Sequence, residues 1–596
     1  MDKIYYGPFA EQLNKLVEDN GISTFINIYY CILALVFIFT ILSAVFYQKL
    51  LAPNKNQSFP CKRDVFCWLA VILLITALFP NLFVDIINVD EGMILTGSIN
   101  MLHDPRPWIS TDTTTIGPLT YLVVDLVYLI KRIFTGIENI TLFDARLTLL
   151  LCLIFSFIFL YKTILCINNV NISQFIMLIF LLLIFIANRI ELLSYNSEYL
   201  YMFFCSFILY MLIHYKKHNN IIKLYFAAFA IGMIPYIKLQ FVLLAGVIFL
   251  WLIFIILDEN KYSFSKSVKN LSILSFLSAA PTIIVLIYLI STPNAFYRTY
   301  LFYIKNSIAH VAPLYWDGCI YIINKLIIQN PTSLLIIIIS AYMTIKLLRK
   351  LYISYNDSLI KKSDILFSFI FFIISIYSII RPMSYVLRYN LIIYIPFIFL
   401  LMVYTYVFLK NSSFNYFMII IYFIIGSCTL YNFDLYRIME KFNIGNLLLH
   451  DDLTKYIVLN TSKNDSILVW GWDMRYHVYS NRKSATAQSN IERLWNNYPK
   501  TNLQFTNEER DNLYDYHIKH NIYPDENIYE FLLDLETSSP KLILDVITSR
   551  NFGFKDRALY GIDKQPIIWN YVKENYIVDM VIPVDDETIL IYRRKS

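Results

Sequence analysis

The 596-residue chain is poor in the features that soluble and nucleotide-driven proteins depend on. Only 16% of it is charged, well short of the roughly 25% that covers a typical soluble surface. With only 14 glycines, it is ill suited to a channel built on Gly-rich helix packing. The 8 cysteines stand singly, none follows Cys428, and no C-x-x-C occurs, which leaves no disulfide framework in the last quarter and no zinc or haem motif. There is no G-x-x-x-x-G-K-[ST], no G-x-G-x-x-G and no H-E-x-x-H; ATP-driven pumps, dinucleotide enzymes and zincin proteases leave the leading candidates. The formal net charge of +6 is small for this length and does not suggest nucleic acid as a partner. The segment 1–22 is polar and mixed in charge, unlike a cleavable signal peptide.

What is abundant is apolar: 57% of residues are hydrophobic, with 47 Tyr and 45 Phe, a composition that belongs in a bilayer. About 20 apolar residues cross the hydrocarbon core. That ruler predicts roughly twelve crossings, near 24–46, 65–85, 143–161, 172–188, 198–214, 222–237, 240–257, 270–290, 333–348, 364–380, 390–409 and 413–431. Loops 47–64, 215–221, 258–269 and 346–362 are basic and read as cytoplasmic. Alternation then puts 1–22, 86–142, 291–332, 381–389 and everything after 432 on the outer face. Segment 117–134 holds Asp125, Lys131 and Arg132 and would invert every later loop if it crossed. It is therefore read as an interfacial helix with snorkelling charges. From 433 to 596 polar residues interrupt the apolar runs, with β-rich stretches at 466–470, 541–546, 576–582 and 588–592 alternating with helical ones at 451–460, 526–536 and 566–574. The expected architecture is a multi-pass α-helical membrane domain, 23–432, followed by an extracytoplasmic α/β domain, 433–596.

Candidate chemistry gathers at the outer ends of the spans. Asp90 and Glu91 follow a span directly, and a carboxylate at a low-dielectric boundary suits a general base, although the dipeptide alone also fits a solvated loop acid. The same loop carries His103, Asp104, Asp112 and Tyr121. Asp104 and Asp112 offer oxygen ligands to a divalent cation such as Mg or Mn, but no recognised metal spacing accompanies them. Further charges recur at Asp144 and Arg146, at Glu198, at Lys238 beside Gln240, and at Arg388. Lys238 sits in a hairpin too tight to leave it in water, which suits a lipid phosphate; each cation taken singly also fits headgroup contact.

The order of these pieces resembles the GT-C glycosyltransferases, particularly bacterial relatives of protein O-mannosyltransferases and aminoarabinose transferases (glycosyltransferase family 39). The resemblance is carried by Asp90-Glu91-Gly92, Gly117-Pro118-Leu119-Thr120-Tyr121, Ala145-Arg146-Leu147, Ser197-Glu198, Lys238 and Arg388-Tyr389-Asn390-Leu391, and beyond the spans by Ile467-Leu468-Val469-Trp470-Gly471-Trp472 and Pro540-Lys541-Leu542-Ile543-Leu544-Asp545. It implies an inverting transferase working from a polyprenyl-phosphate-linked sugar onto a glycan or lipid acceptor at the outer face of a bacterial inner membrane. Asp90 would be the base and Glu91 would orient the acceptor. Arg146, Lys238 and Arg388 would hold donor phosphate, with His103, Asp104, Tyr121, Glu198 and Gln240 around the substrates. The chain departs from that pattern in Thr115-Ile116-Gly117-Pro118, where aminoarabinose transferases often have Glu-Lys, and in Arg388, where the family has His. A transporter or flippase, and a polysaccharide polymerase or ligase, are the competing classes.

Overall fold

The computed structural model describes residues 35–36, 38–40, 65–83, 88–112, 116–186, 194–259, 264–305, 331–354, 359–380, 389, 391–409, 452–489, 491, 494, 526–548, 554–584 and 587–595. The expected crossing at 413–431, nearly all of 24–46, Arg388 and the junction at 432 lie outside them.

Among the described residues from 65 to 409, the α-helices are α1 Val65–Leu78, α2 Val89–His103, α3 Pro118–Thr135, α4 Leu142–Ile167, α5 Val170–Ile186, α6 Ser197–His218, α7 Ile221–Met233, α8 Val242–Glu259, α9 Phe264–Ser291, α10 Ala295–Arg298, α11 Pro331–Ser354, α12 Lys362–Ile380 and α13 Leu391–Leu409. Among the described residues, six are long and apolar enough to cross a membrane: α4, α6, α8 (with the turn before it), α9, α12 and α13. α1, α5 and α7 are shorter apolar helices.

α3 is one-sided in a way that explains its mixed composition. Tyr121, Val124 and Tyr128 are buried, while Leu122, Leu126, Leu129, Ile130, Ile133 and Phe134 are exposed, the i, i+3, i+4 spacing of a helix with one apolar outer face. Its Lys131 does not snorkel as expected. The ammonium bonds Asp144 Oδ2 at 2.6 Å and the Asn139 carbonyl at 2.9 Å, because a neighbouring buried carboxylate offers more than a distant headgroup.

α4 and α6 interleave aromatic rings, Phe159 lying 5.2 Å from Phe207 and 5.6 Å from Tyr210, within the range favoured by aromatic pairs. Gly232 lets α7 reach α9, since a Cβ there would sit 2.1 Å from the Ser278 carbonyl oxygen. At the basic-loop end, Asp364 in the first turn of α12 receives Lys216 from the last turn of α6, the Trp251 indole N–H at 2.9 Å and the Lys361 amide at 2.7 Å. Trp251 also stacks on Phe367 at 4.1 Å. Three helices are thereby pinned at one buried carboxylate.

The C-terminal part contains α14 Asp452–Asn460, β1 Ser466–Trp470, α15 Arg475–Ser480, β2 Lys483–Ser484, α16 Glu526–Ser538, β3 Leu542–Asp545, α17 Arg557–Tyr560, α18 Pro566–Asn575, β4 Tyr576–Val584 and β5 Glu587–Arg594. They build a sheet in the order β2-β1-β3-β5-β4, with β1 parallel to β2 and β3, and β5 antiparallel to β3 and β4. β1 is buried along its whole length, as a strand covered on both faces must be. Its alternate residues enter two cores: Leu468 and Trp470 on one face, Ile467 and Val469 on the other. The sequence runs located the four longer strands; the two-residue β2 is too short to leave a period.

This unit is stitched to the loops at the far ends of the helices. Asn481 bonds the Ile140 carbonyl at 2.9 Å, the Ser484 amide bonds Asn100 at 2.8 Å, and the Asp112 amide bonds the Ala487 carbonyl at 2.7 Å. Arg298 of α10 reaches Asp534 at 2.6 Å and Glu530 at 2.7 Å on α16.

Removing one partner of a buried ion pair strands the other, at a cost of about 3–5 kcal/mol. Asp364→Ala is therefore expected to lower the unfolding midpoint of the detergent-solubilised protein markedly, and an unchanged midpoint would remove Asp364 as the clamp of α6, α8 and α12.

Candidate functional site

The candidate site is a layer of paired charges at the end of the bundle that carries the C-terminal unit, and its order follows from the need to satisfy each buried polar group. α2 starts there. Asn88 caps it by accepting the Asp90 amide at 3.0 Å, which puts Asp90, partly buried, and Glu91, fully buried, in its first turn. Acids are favoured at that position by the helix dipole.

Glu91 cannot remain buried alone. Arg146, one turn into α4, forks onto it with Nε–Oε1 at 3.3 Å and Nη2–Oε2 at 3.2 Å, and spends Nη1 on the Asn81 carbonyl at 2.9 Å. The Tyr195 amide adds a further bond to Glu91 Oε1 at 3.1 Å. Three separate chain segments thus converge on one carboxylate. Glu91 and Arg146, both expected at the site, engage each other. Asp144, grouped with Arg146 by sequence, instead takes Lys131.

From Tyr195 the network continues sideways. Its hydroxyl donates to the Thr120 carbonyl at 3.1 Å, and the Thr120 hydroxyl donates to the Ile237 carbonyl at 3.1 Å. The Gly117 amide bonds the same carbonyl at 2.8 Å, and Ile116 forms an antiparallel bridge with Lys238. Gly117 makes that approach possible: a Cβ there would lie 2.2 Å from the Tyr236 carbonyl oxygen. The Pro118 that follows starts α3 at its first position, where its missing N–H is not needed.

The chain so held presents Lys238, 4% exposed, whose Nζ lies 3.0 Å from Glu198 Oε1 and 4.7 Å from the centre of the Tyr389 ring. Carboxylate and ring face both attract an ammonium. The Ser197 hydroxyl donates to the other oxygen of Glu198 at 3.2 Å. Two residues on from Lys238, Gln240 Nε2 is buried with no hydrogen-bond partner among the described residues, an amide donor left for a guest.

The bonded network joins Glu91, Arg146, Glu198 and Lys238, with Asp90 and Gln240 beside it in the chain and Tyr121 buried one residue beyond Thr120. It does not include His103 and Asp104. Thirteen residues of helix separate Asp90 from His103, about 20 Å at 1.5 Å per residue. Asp104 is held by Arg106, with both contacts at 2.7 Å, and no group of three His, Cys, Asp or Glu suited to a metal ion occurs among the described residues. Arg388 lies outside the described residues, although its neighbour Tyr389 is in place. Sequence reasoning gave no role to Thr120, Tyr195 and Asn81, which act through backbone groups or a hydroxyl; the only signal was their position within or beside the Gly117–Tyr121 segment, Glu198 and a span end.

Gly117→Ala is expected to force the two backbones apart and to destabilise by about 1–3 kcal/mol or more. Gly246, where a Cβ meets nothing within 4 Å, supplies the control: Gly246→Ala keeps or raises the unfolding midpoint. Equal midpoints for the two variants would contradict the close approach.

No protein-family model and no curated protein matches this sequence. Among solved structures, the crystal structure of ArnT from Cupriavidus metallidurans bound to undecaprenyl phosphate is similar over 89% of this chain and 98% of that one, at 12% sequence identity and a TM-score of 0.49.

Proposed function

We propose that the chain is an inverting glycosyltransferase that moves a sugar from a polyprenyl-phosphate donor to a lipid-linked or cell-envelope glycan acceptor. In this reading it crosses a bacterial inner membrane about twelve times and keeps 433–596 as an extracytoplasmic domain. The observation that carries the proposal is the continuous hydrogen-bonded layer from the turn bearing Asp90, through Tyr195 and Thr120, to Lys238. It sets a carboxylate and a cation into one rigid frame at the end of an apolar bundle, as transfer from a lipid phosphate requires.

Asp90 is the base. The acceptor hydroxyl attacks the anomeric carbon as Asp90 takes its proton, the bond from that carbon to the phosphate oxygen breaks, and the electron pair leaves on the polyprenyl phosphate. Attack opposite the leaving group inverts the centre. Lys238 meets the charge that grows on the leaving phosphate, where a fixed cation in a water-poor site stabilises the transition state more than the ground state. An ammonium carries three donors, so a contact to Glu198 and a contact to phosphate are chemically compatible. Gln240 Nε2 supports the same reading as an unspent donor beside Lys238. Glu91 and Arg146 are positioning residues: their pairing fixes the first turn of α2 and so the direction of Asp90.

Among the described residues the buried ion pairs sit at the two ends of the bundle rather than along a mid-membrane path, which favours an interfacial enzyme over a transporter. Glycan analysis of the native envelope, with wild type and Asp90→Asn at matched membrane expression, tests the assignment. Loss of one sugar substituent in the variant is expected and would name the sugar. An unchanged glycan profile would remove Asp90 as base and bring a transporter or flippase forward.

A further inference from the structure

A second polar site lies outside this layer. At the end of the sheet where β1, β2 and β3 begin and β5 ends, a cleft of about 400 Å³ is lined by Lys483, Lys541, Arg593, Arg594 and Lys595 against one carboxylate, Asp465. The cations are not equivalent. Arg593 is neutralised by Asp579 at 2.8 Å. Lys595 Nζ donates to the Lys573 and Glu574 carbonyls at 2.9 and 2.7 Å, and Arg594 donates to the Ser539 carbonyl at 3.4 Å; these contacts hold both side chains in place without cancelling their charge. Lys483 and Lys541 enter no ion pair among the described residues. Asp465 is already committed, accepting the Ser462 amide at 2.8 Å.

The position of the cleft is as telling as its charge. Lys463, at the turn before β1, pairs with Glu138 at 3.4 Å. Glu138 follows the last turn of α3, where Ile133 is 80% and Phe134 82% exposed, a bare apolar tip of the kind that is covered by lipid. Ser484, adjacent to Lys483, is bonded to Asn100 near the end of α2. Burial, followed by Lys483 and Arg482, holds the nearby His103 imidazole below its ordinary pKa.

We propose that this cleft binds a phosphate-bearing group, mono- or diphosphate, at the membrane surface. Cations arriving from separate strands suit a compact, multiply charged anion better than a single carboxylate, and lysines recognise it as point charges. The proposal is independent of the transferase reading. The group comes either from an anionic lipid headgroup or from a soluble phosphate compound.

Hydrogen–deuterium exchange on the full chain distinguishes these sources. One arm compares nanodiscs of phosphatidylcholine with nanodiscs containing phosphatidylglycerol; the other adds inorganic pyrophosphate to the phosphatidylcholine discs. Slower exchange at 462–466 and 538–542 in the first arm supports a lipid headgroup, and in the second a soluble phosphate. Either protection should weaken roughly tenfold or more in a Lys483→Glu/Lys541→Glu variant, with exchange in the α6 and α12 peptides unchanged as the folding control. Because Lys541 is exposed and Lys483 half-buried, Lys483→Gln/Lys541→Gln serves if the reversal perturbs that control. No protection in either arm, or protection that persists in the folded variant, would overturn the proposal.

Discussion

A buried charge needs a partner, and that rule organises this protein more than any other. In a chain so poor in ionisable residues, each one placed inside costs several kcal/mol unless another group meets it. Glu91 calls in Arg146, Asp144 calls in Lys131, Glu198 calls in Lys238, and Asp364 calls in Lys216. Each pair joins different helices or a helix and a loop, so satisfying electrostatics also fixes helix order and rotation. Apolar side chains alone would not do this, since lipid tails are as apolar as Leu and give helices little reason to choose one register over another.

The two ends of the bundle use the rule differently. At the basic-loop end a single carboxylate, Asp364, is saturated by an ammonium, an indole and an amide, which makes a lock. At the other end the pairs are linked through Tyr195 and Thr120 but leave Asp90 only partly buried and a Gln240 donor unspent among the described residues. Rigid support beside unspent polar capacity is what distinguishes a site from a clamp. The C-terminal unit closes over the same end by contacts with 100, 112, 140 and 298, and it brings its own cationic cleft beside the apolar tip of α3.

Local patterns were legible in the sequence. Among the described residues the apolar runs located α1, α4 to α9 and α11 to α13, the β-rich stretches located four strands close to their bounds, and Asp90-Glu91 and Lys238 drew notice as charges at span ends. Pairing was not legible, because partners stand far apart in the chain: Glu91 and Arg146 are separated by 55 positions, Lys216 and Asp364 by 148. Nearness in sequence also misled. His103 and Asp104 share a loop with Asp90 on paper, yet α2 is a straight rod that carries them to its opposite end. Lys131 was read as facing lipid headgroups because nothing local announced that Asp144 would come within 2.6 Å. Gly117 stood in the sequence only as part of a short motif, and its role in admitting the Tyr236 backbone depends on a contact more than a hundred residues away.

In the proposed mechanism one hydrogen-bonded layer divides its labour, Lys238 holding phosphate and Asp90 moving a proton. Binding of a polyprenyl phosphate to the purified full chain tests this directly, using wild type, Asp90→Asn, and a Glu198→Gln/Lys238→Gln pair that removes both charges together and so avoids a stranded ion. The account predicts near wild-type affinity for Asp90→Asn and a loss of roughly tenfold or more for the double variant, as expected for a charge-assisted phosphate contact. Unchanged binding in a correctly folded double variant, or loss of binding in Asp90→Asn alone, would contradict it.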